Sequence, residues 1–598
     1  MLVKRLAPSA ALTLLLTAAG LHAGSDAGTK VPALQVAARQ VPAPGGIRSA
    51  GTSVPASPAV GQNTAAAFAP AAKLVVVIVL DQVRADYLER FADDWAGGLQ
   101  RLTKTGAWFT NAAYPYLVTA TCAGHATVSS GALPHTSGIV HNEWFDRRQG
   151  KVVTCTADPS VRNIAYGAQA TGGDSPAALR VPALADRLRS ERSARVVTLS
   201  LKDRSAIMLA GHGPATVIWR TGLAWVTSTA YSAGPVDEVT SALAAHPMED
   251  DFTKVWERLL PASRYRAPDD GAGEMPPRGW TTTFPHDLKA NSSRPDLDFE
   301  TRWERSPFAD GYLGRLAADL VERFRLGRGA GVDFLGVSFS GPDRVGHLFG
   351  PDSQEIQDLL LRLDRTLGTL FDRLDAAVGR DGYVVALTAD HGVTPIPAQR
   401  AARGASAGTL QPSTIVERVE SVLADSLGPG KHVAWLDGLN LNMYLAPGVY
   451  ERLSTSKPLL ERVERAVTGV TGVRAVFRRD QLANGAASHD PLTRAAALGF
   501  DPERSGDLII ALKPGWSPAA QFAAVHWNTA SPDDQRVPVL LMGAGVRAGR
   551  YDRPITPADI APTLAKIAGV SLPAAEGRPL ADALLGGSAP ASRRETNR

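Results

Sequence analysis

The chain has 598 residues, 44% of them apolar, enough to bury a large core in one domain with insertions or in several domains. Its 63 basic residues nearly balance 59 acidic ones, for a formal net charge of +4, and no long basic run is present. This excludes a polybasic arm of the kind that grips nucleic acid, so no nucleic-acid partner is expected.

Lys4 and Arg5 precede an apolar stretch at residues 10–19, which ends in the small-residue segment Leu21-His22-Ala23. That order predicts a secretory signal peptide over residues 1–23 and a periplasmic or secreted bacterial product. A bilayer span needs about 20 apolar residues, so no stable membrane insertion is expected. Residues 24–72 are rich in Ala, Pro, Gly, Ser and Thr and predict a disordered linker. The two cysteines, Cys122 and Cys155, could keep a disulfide in an oxidising compartment or stay as two buried thiols.

The folded part is expected over residues 73–585, with a disordered tail at 586–598. The run from Leu74 to Leu80 is unbroken, mostly β-branched and ends in Asp81. It predicts a strand buried on both faces, as in a parallel sheet covered by helices. Apolar spacing predicts helices over residues 84–99, 181–188, 310–326 and 352–376. Strands are predicted over 196–201, 332–339, 383–388 and 537–542. The alternation implies βαβ units, hence an α/β fold with a mainly parallel sheet and helices on both faces. Residues 210–305 have little period and read as an insertion. Residues 405–524 read as a second one, a small α+β cap.

The stretch Val118-Thr119-Ala120-Thr121-Cys122-Ala123-Gly124-His125 leads into residues 126–131, which could open a helix. Helix N-termini favour anions, so a phosphate beside Thr121 would be well placed. Potential ligands recur at strand ends. Asp81 follows the first strand, Asp390-His391 another, and Asp343 with His347 a third, at an i, i+4 spacing that puts both on one face of a helical turn. His526 precedes a further strand. Open α/β sheets build sites beyond the carboxyl ends of their strands. Three acids and three histidines drawn together in this way suit two Zn2+ ions, with Thr121 between them as an activated nucleophile. The other histidines, including His125, His141 and His286, read as surface, loop or signal residues.

Thr121-x-x-Gly124-His125, Asp343-x-x-x-His347, Asp390-His391 and a late histidine resemble the alkaline phosphatase superfamily, and within it the threonine-nucleophile, PafA-like branch, across most of residues 73–585. The resemblance implies one zinc held by Asp343, His347 and His526 and another by Asp81, Asp390 and His391. Thr121 is then the nucleophile and also meets the metal. It further implies that Asn142 binds a phosphoryl oxygen and that Lys202 and Arg204 contact the transferred phosphate. The implied activity is an exported two-zinc phosphomonoesterase that acts on small phosphate monoesters through a phosphothreonine intermediate.

The nearest alternative is a phosphodiesterase or nucleotide pyrophosphatase of the same superfamily. Lys202 and Arg204 favour the monoester, because a diester carries less charge to neutralise. Residues 122–126 lack the Pro and Arg of the sulfatase motif. A silent metal- or phosphate-binding protein is the reading from another class, and a complete ligand set with Thr121 in place speaks against it. The oligomeric state is left open.

Overall fold

Strand β1 (Leu74–Leu80) lies near the middle of a ten-stranded sheet, and all seven of its residues are buried. Leu74, Val76, Ile78 and Leu80 face one layer of helices, and Val75, Val77 and Val79 face another. This two-sided burial is why the run is apolar without alternation. Each such side chain contributes roughly 1.5–3 kcal/mol when fully buried.

The computed structural model describes residues 72–167, 169–222, 224–289, 291–524 and 528–586. The expected signal peptide, all of the linker except Ala72, almost all of the tail, and His526 lie outside the described residues.

The other strands of the main sheet are β2 (Ala107–Phe109), β3 (Asn163–Ala165), β4 (Val196–Ser200), β5 (Thr216–Thr221), β6 (Ala224–Ser228), β7 (Asp333–Phe339), β8 (Tyr383–Thr388), β9 (Val539–Gly543) and β10 (Gly549–Tyr551). Their spatial order is β10-β2-β9-β8-β1-β7-β4-β5-β6-β3. The run β8-β1-β7-β4-β5 is parallel throughout. Antiparallel pairings appear on either side of it, β9 with β8 and β2, and β6 with β5 and β3. The fold is therefore α/β with a parallel centre and mixed flanks.

The helices that matter for the site are α1 (Thr121–Ser130), α2 (Asp203–Ala210), α3 (Leu297–Trp303), α4 (Pro307–Arg323), α5 (Gly341–Phe349), α6 (Gln354–Val378) and α7 (Ile560–Ala568). Helices α4 and α6 cover one face of the sheet and α7 the other. Helix α4 begins three residues before the predicted 310, where the Ser306 hydroxyl accepts from the Phe308 N–H and proline takes the first position.

Four further predicted boundaries move. Residues 216–228, assigned from sequence to the first insertion, are β5 and β6 of the main sheet. Gly222, at φ 55°, turns the chain between them. Helix α1 opens at Thr121 itself rather than at residue 126. The helix predicted over 84–99 is broken into a single helical turn at Tyr87–Arg90 and a 3-10 turn at Ala92–Asp94, and the longer helix is Gly98–Thr105. Asp364 on α6 accepts the backbone N–H groups of Ala96, Gly97 and Leu99, which holds the chain in a turn before that helix. The helix predicted over 181–188 runs instead from Leu184 to Arg192.

In the second insertion, strands at Val433–Leu436, Asn442–Leu445, Val473–Arg478 and Leu508–Leu512 form a small antiparallel sheet. Helices at Pro412–Leu427 and Lys457–Thr468 pack on it through their own apolar cluster.

Candidate active site and metal centre

Four adjacent parallel strands, β8, β1, β7 and β4, end on one edge of the sheet, and the chain beyond each end carries a charged side chain back to that edge. Asp390 and His391 follow β8, Asp81 follows β1, Asp343 and His347 sit on α5 after β7, and Lys202 follows β4. Asp81, Asp390 and His391 are fully buried, and Asp343 is 5% exposed. One ligand atom each from Asp81, Asp343 and His391 lies within 4.8 Å of the others.

The two imidazoles are oriented by backbone carbonyls. His391 Nδ1 donates to Gly392 O at 3.0 Å and His347 Nδ1 to Ala524 O at 2.8 Å. Each ring therefore turns Nε2 toward the carboxylates. His391 Nε2 is 3.5 Å from Asp81 Oδ1 and from Asp390 Oδ2, and His347 Nε2 is 3.2 Å from Asp343 Oδ1. A carbonyl that fixes one ring nitrogen as donor leaves the other as a metal ligand.

Lys202 Nζ lies between two of the acids, 2.6 Å from Asp81 Oδ2 and 2.5 Å from Asp343 Oδ2. Among the described residues, neither oxygen of Asp81 and not Oδ2 of Asp390 accepts a hydrogen bond of good geometry. Their close neighbours are cationic groups or imidazoles. Buried carboxylate oxygens that meet only cationic groups and inward-turned imidazoles fit divalent metal.

The electrostatics follow from crowding three acids in one dry place. Burial, then Asp343 and Asp390, push the Asp81 carboxyl well up, against Lys202. Burial would also raise Asp343, but Lys202 and then His347 override it and hold that carboxyl well below the ordinary range. Asp390 is likewise held down against burial, by His391 and His125. Burial lowers His391, which favours the neutral imidazole that a metal requires.

Thr121 is the first residue of α1, 2% exposed, with Oγ1 3.4 Å from His391 Nε2. Three features hold it there. A Cβ on Gly124 would stand 2.2 Å from Asp390 O, so only glycine lets α1 approach the end of β8 this closely. His125, fully buried, donates from Nδ1 to Thr121 O at 2.8 Å and meets Ser338 Oγ at Nε2, also at 2.8 Å. Cys122 and Cys155 form a disulfide, which settles the open question of their pairing. Between them Asn142 is gripped twice. Its Oδ1 accepts the Cys122 N–H at 2.8 Å, and its carbonyl accepts the Cys155 N–H at 2.9 Å. With Oδ1 so engaged, the amide nitrogen is left as the group Asn142 offers the cavity.

That cavity, about 590 Å³, is lined by Thr121, Asn142, Lys202, Arg204, Asp343 and His347 among others. The structure thus gathers Thr121, Asn142, Lys202, Arg204, Asp81, Asp343, His347, Asp390 and His391 at one sheet edge. Where His526 stands relative to them is outside the described residues.

Sequence reasoning missed two groups. Gln82 adopts φ 66°, donates its N–H to Asp390 Oδ1 and its amide to Asp343 Oδ1, both at 3.0 Å, and lies 3.3 Å from His347 Nε2. Its place directly after a strand-end acid was the only available signal. His125, read from sequence as a loop histidine, is wholly buried against the candidate nucleophile, and His141 and His286 are also buried.

Comparison with known proteins agrees with this architecture. The family model described as type I phosphodiesterase / nucleotide pyrophosphatase matches residues 75–530. The chain is 30% identical over 537 residues to alkaline phosphatase PafA of Elizabethkingia meningoseptica, covering 86% of this chain and 95% of that protein. It is 30% identical over 514 residues to alkaline phosphatase PhoV of Synechococcus elongatus, covering 84% and 90%. The crystal structure of wild-type PafA superposes with a TM-score of 0.79 at 28% identity, over 86% of this chain and 99% of that one. The chain belongs to the alkaline phosphatase superfamily, in the branch of PafA-like alkaline phosphatases, and is an enzyme of that class.

Proposed function

We propose that this protein hydrolyses small phosphate monoesters by in-line attack of Thr121 Oγ1 on phosphorus, which breaks the ester P–O bond, expels the alcohol and forms a phosphothreonine; water then attacks that phosphorus, releasing phosphate and restoring the Thr121 hydroxyl. The observation that carries the reading is the convergence of inward-turned imidazoles and buried carboxylates on Thr121 Oγ1, at the first turn of α1. Two Zn2+ ions would be held by Asp343, His347 and His526 and by Asp81, Asp390 and His391. Bound there, they would lower the pKa of the threonine hydroxyl and offset charge on the attacking and leaving oxygens.

The chain's own residues supply the rest. Asn142 directs its amide nitrogen, and Lys202 and Arg204 their cationic groups, to the equatorial oxygens of the transferred phosphoryl group. His125 and Gly124 keep the Thr121 backbone against the strand end, so that Oγ1 stays aligned. Export belongs to the same reading. It is supported by the basic, apolar and small-residue order of residues 1–23 and by the Cys122–Cys155 bridge, a bond that persists in oxidising compartments.

Thr121→Ala should retain bound zinc and lose at least about 10³-fold in turnover of an aryl phosphate monoester. Metal content by atomic emission and rates on one preparation check this, and unchanged turnover would sink the assignment. The family model's description keeps a diesterase as second reading. A matched aryl diester hydrolysed faster than its monoester would favour it, as would Lys202→Ala harming both substrates equally.

A further inference from the structure

The cavity beside Thr121 is several times larger than a phosphoryl group needs and within the range of pockets that enclose whole small molecules. Its charged lining falls into two groups with different origins. Lys202 and Arg204 come from the end of β4 and the start of α2, beside the nucleophile. Arg305 comes from the turn between α3 and α4, and Arg344 from α5.

The second group carries unspent positive charge. Glu304 accepts an ion pair from Arg344 at 2.8 Å and from Arg220 at 3.3 Å, so one carboxylate serves two guanidiniums. Arg220 is further committed to Glu300 and is buried. Arg344 Nε is buried and donates no hydrogen bond among the described residues. Arg305 has no ion pair among the described residues and donates only to the carbonyl of Thr301, at 3.0 Å. Burial, and then the neighbouring Arg344, press down on its guanidinium. Two arginines crowded on one cavity wall, one unpaired and one sharing its only acid, make a receptor for an anion, because guanidinium matches phosphate and carboxylate geometry. The transferred phosphate is accounted for by the first group, so this wall is available to the other end of the substrate.

We propose that Arg305 and Arg344 form a second anion subsite that selects phosphate monoesters whose leaving group carries its own phosphate or carboxylate. This rests on the phosphomonoesterase reading for the identity of the first group, but its binding part can be tested apart from turnover.

The experiment compares wild type with Arg305→Gln on 3-hydroxypropyl phosphate, propane-1,3-diyl bisphosphate and 3-phosphooxypropanoate. For Arg305→Gln, kcat/KM should fall about 10-fold on one or both doubly anionic substrates, and stay within about 2-fold on the neutral-ended one. Whichever of the two falls further identifies phosphate or carboxylate as the preferred group. Equal losses on all three, or no loss on any, would overturn the subsite.

In parallel, calorimetry on zinc-loaded Thr121→Ala should give propane-1,3-bisphosphonate about 10-fold tighter binding than propylphosphonate, with the advantage lost when Arg305→Gln is added. Equal affinities would overturn the subsite whatever the rates. A wild type that hydrolyses none of the three esters but keeps the bisphosphonate advantage would sink the phosphomonoesterase reading and leave the subsite standing.

Discussion

Two clusters of buried acids in this molecule resolve the same problem in opposite ways. At the strand ends, Asp81, Asp343 and Asp390 sit among Lys202, His347, His391 and His125, and two of the three carboxyls are held below the ordinary range. Under the segment around residues 250–289, Glu355 on the first turn of α6 meets His286 at 2.9 Å, with Trp280 stacked on that ring. There burial pushes Glu355 up to about 9 and Glu274, also next to Glu355, up to about 9, while it pushes His286 down to about 4. The first cluster keeps the charges of Asp343 and Asp390 because cations face them, whereas the second is neutral, its carboxyls holding their protons and its imidazole shedding one. Burial alone therefore does not mark a reactive site. Inward-turned ligands and a nucleophile at a helix start do.

The comparison can be broken or sharpened by substitution. After loss of Thr121 itself, the largest effect is expected from Gly124→Ala, whose new Cβ would meet the Asp390 carbonyl at 2.2 Å. Moving α1 away by about 1 Å should cost about 100-fold in kcat/KM with the thermal midpoint much less affected, since misplacement on that scale weakens reaction geometry first. Wild-type kinetics in that variant would mean that the strand-end cluster tolerates a loose nucleophile.

Cys155→Ala should lower unfolding stability by about 3–4 kcal/mol, from the loop that its bridge to Cys122 closes. It should also raise KM, because Asn142 is gripped between the two cysteines. Urea unfolding with the same monoester assay reads both, and an unchanged midpoint would remove the bridge from the frame of the site.

A smaller effect separates the clusters by pH. Glu355 binds a proton in the folded state up to about pH 9, against an ordinary value of 4.5. The fold thus holds more protons than the unfolded chain across that window and loses stability as pH rises through it, by up to about 1.4 kcal/mol per unit. Glu355→Gln should gain on wild type progressively between pH 5 and 9 in thermal melts. A gap that stays constant or shrinks would show that Glu355 is ionised in the fold. Asp343 and Asp390 work in the other direction. Their contribution is present above the ordinary carboxylate range and is lost only as pH falls toward strong acid.

The smallest change expected is for Phe522→Ala. Its ring lies 4.7 Å from His347 and is 39% exposed at the cavity. Losing that contact should raise KM about 2- to 10-fold with kcat nearly unchanged. An equal fall in kcat would mean that the ring also orients the imidazole.

What the chain states by itself is whatever depends on short-range pattern. The run from Leu74 to Leu80 needs two covered faces, acids directly after such strands lie at a sheet edge, and Asp343 with His347 share a helical face because they are four apart. The resemblance motifs added Asn142, Lys202 and Arg204, which pattern alone would have left as turn and surface residues. Tertiary structure decided the rest, because those contacts join segments far apart in the chain. Gln82 reaches Asp390 across 308 positions and Asp343 across 261, and His125 reaches Ser338 across 213. Arg305 and Arg344 come to one wall only because α4 and α5 pack together over the sheet. A side chain's charge can be read from its letter, but whether that charge is spent on a neighbour or left facing a cavity depends on which distant segments fold beside it.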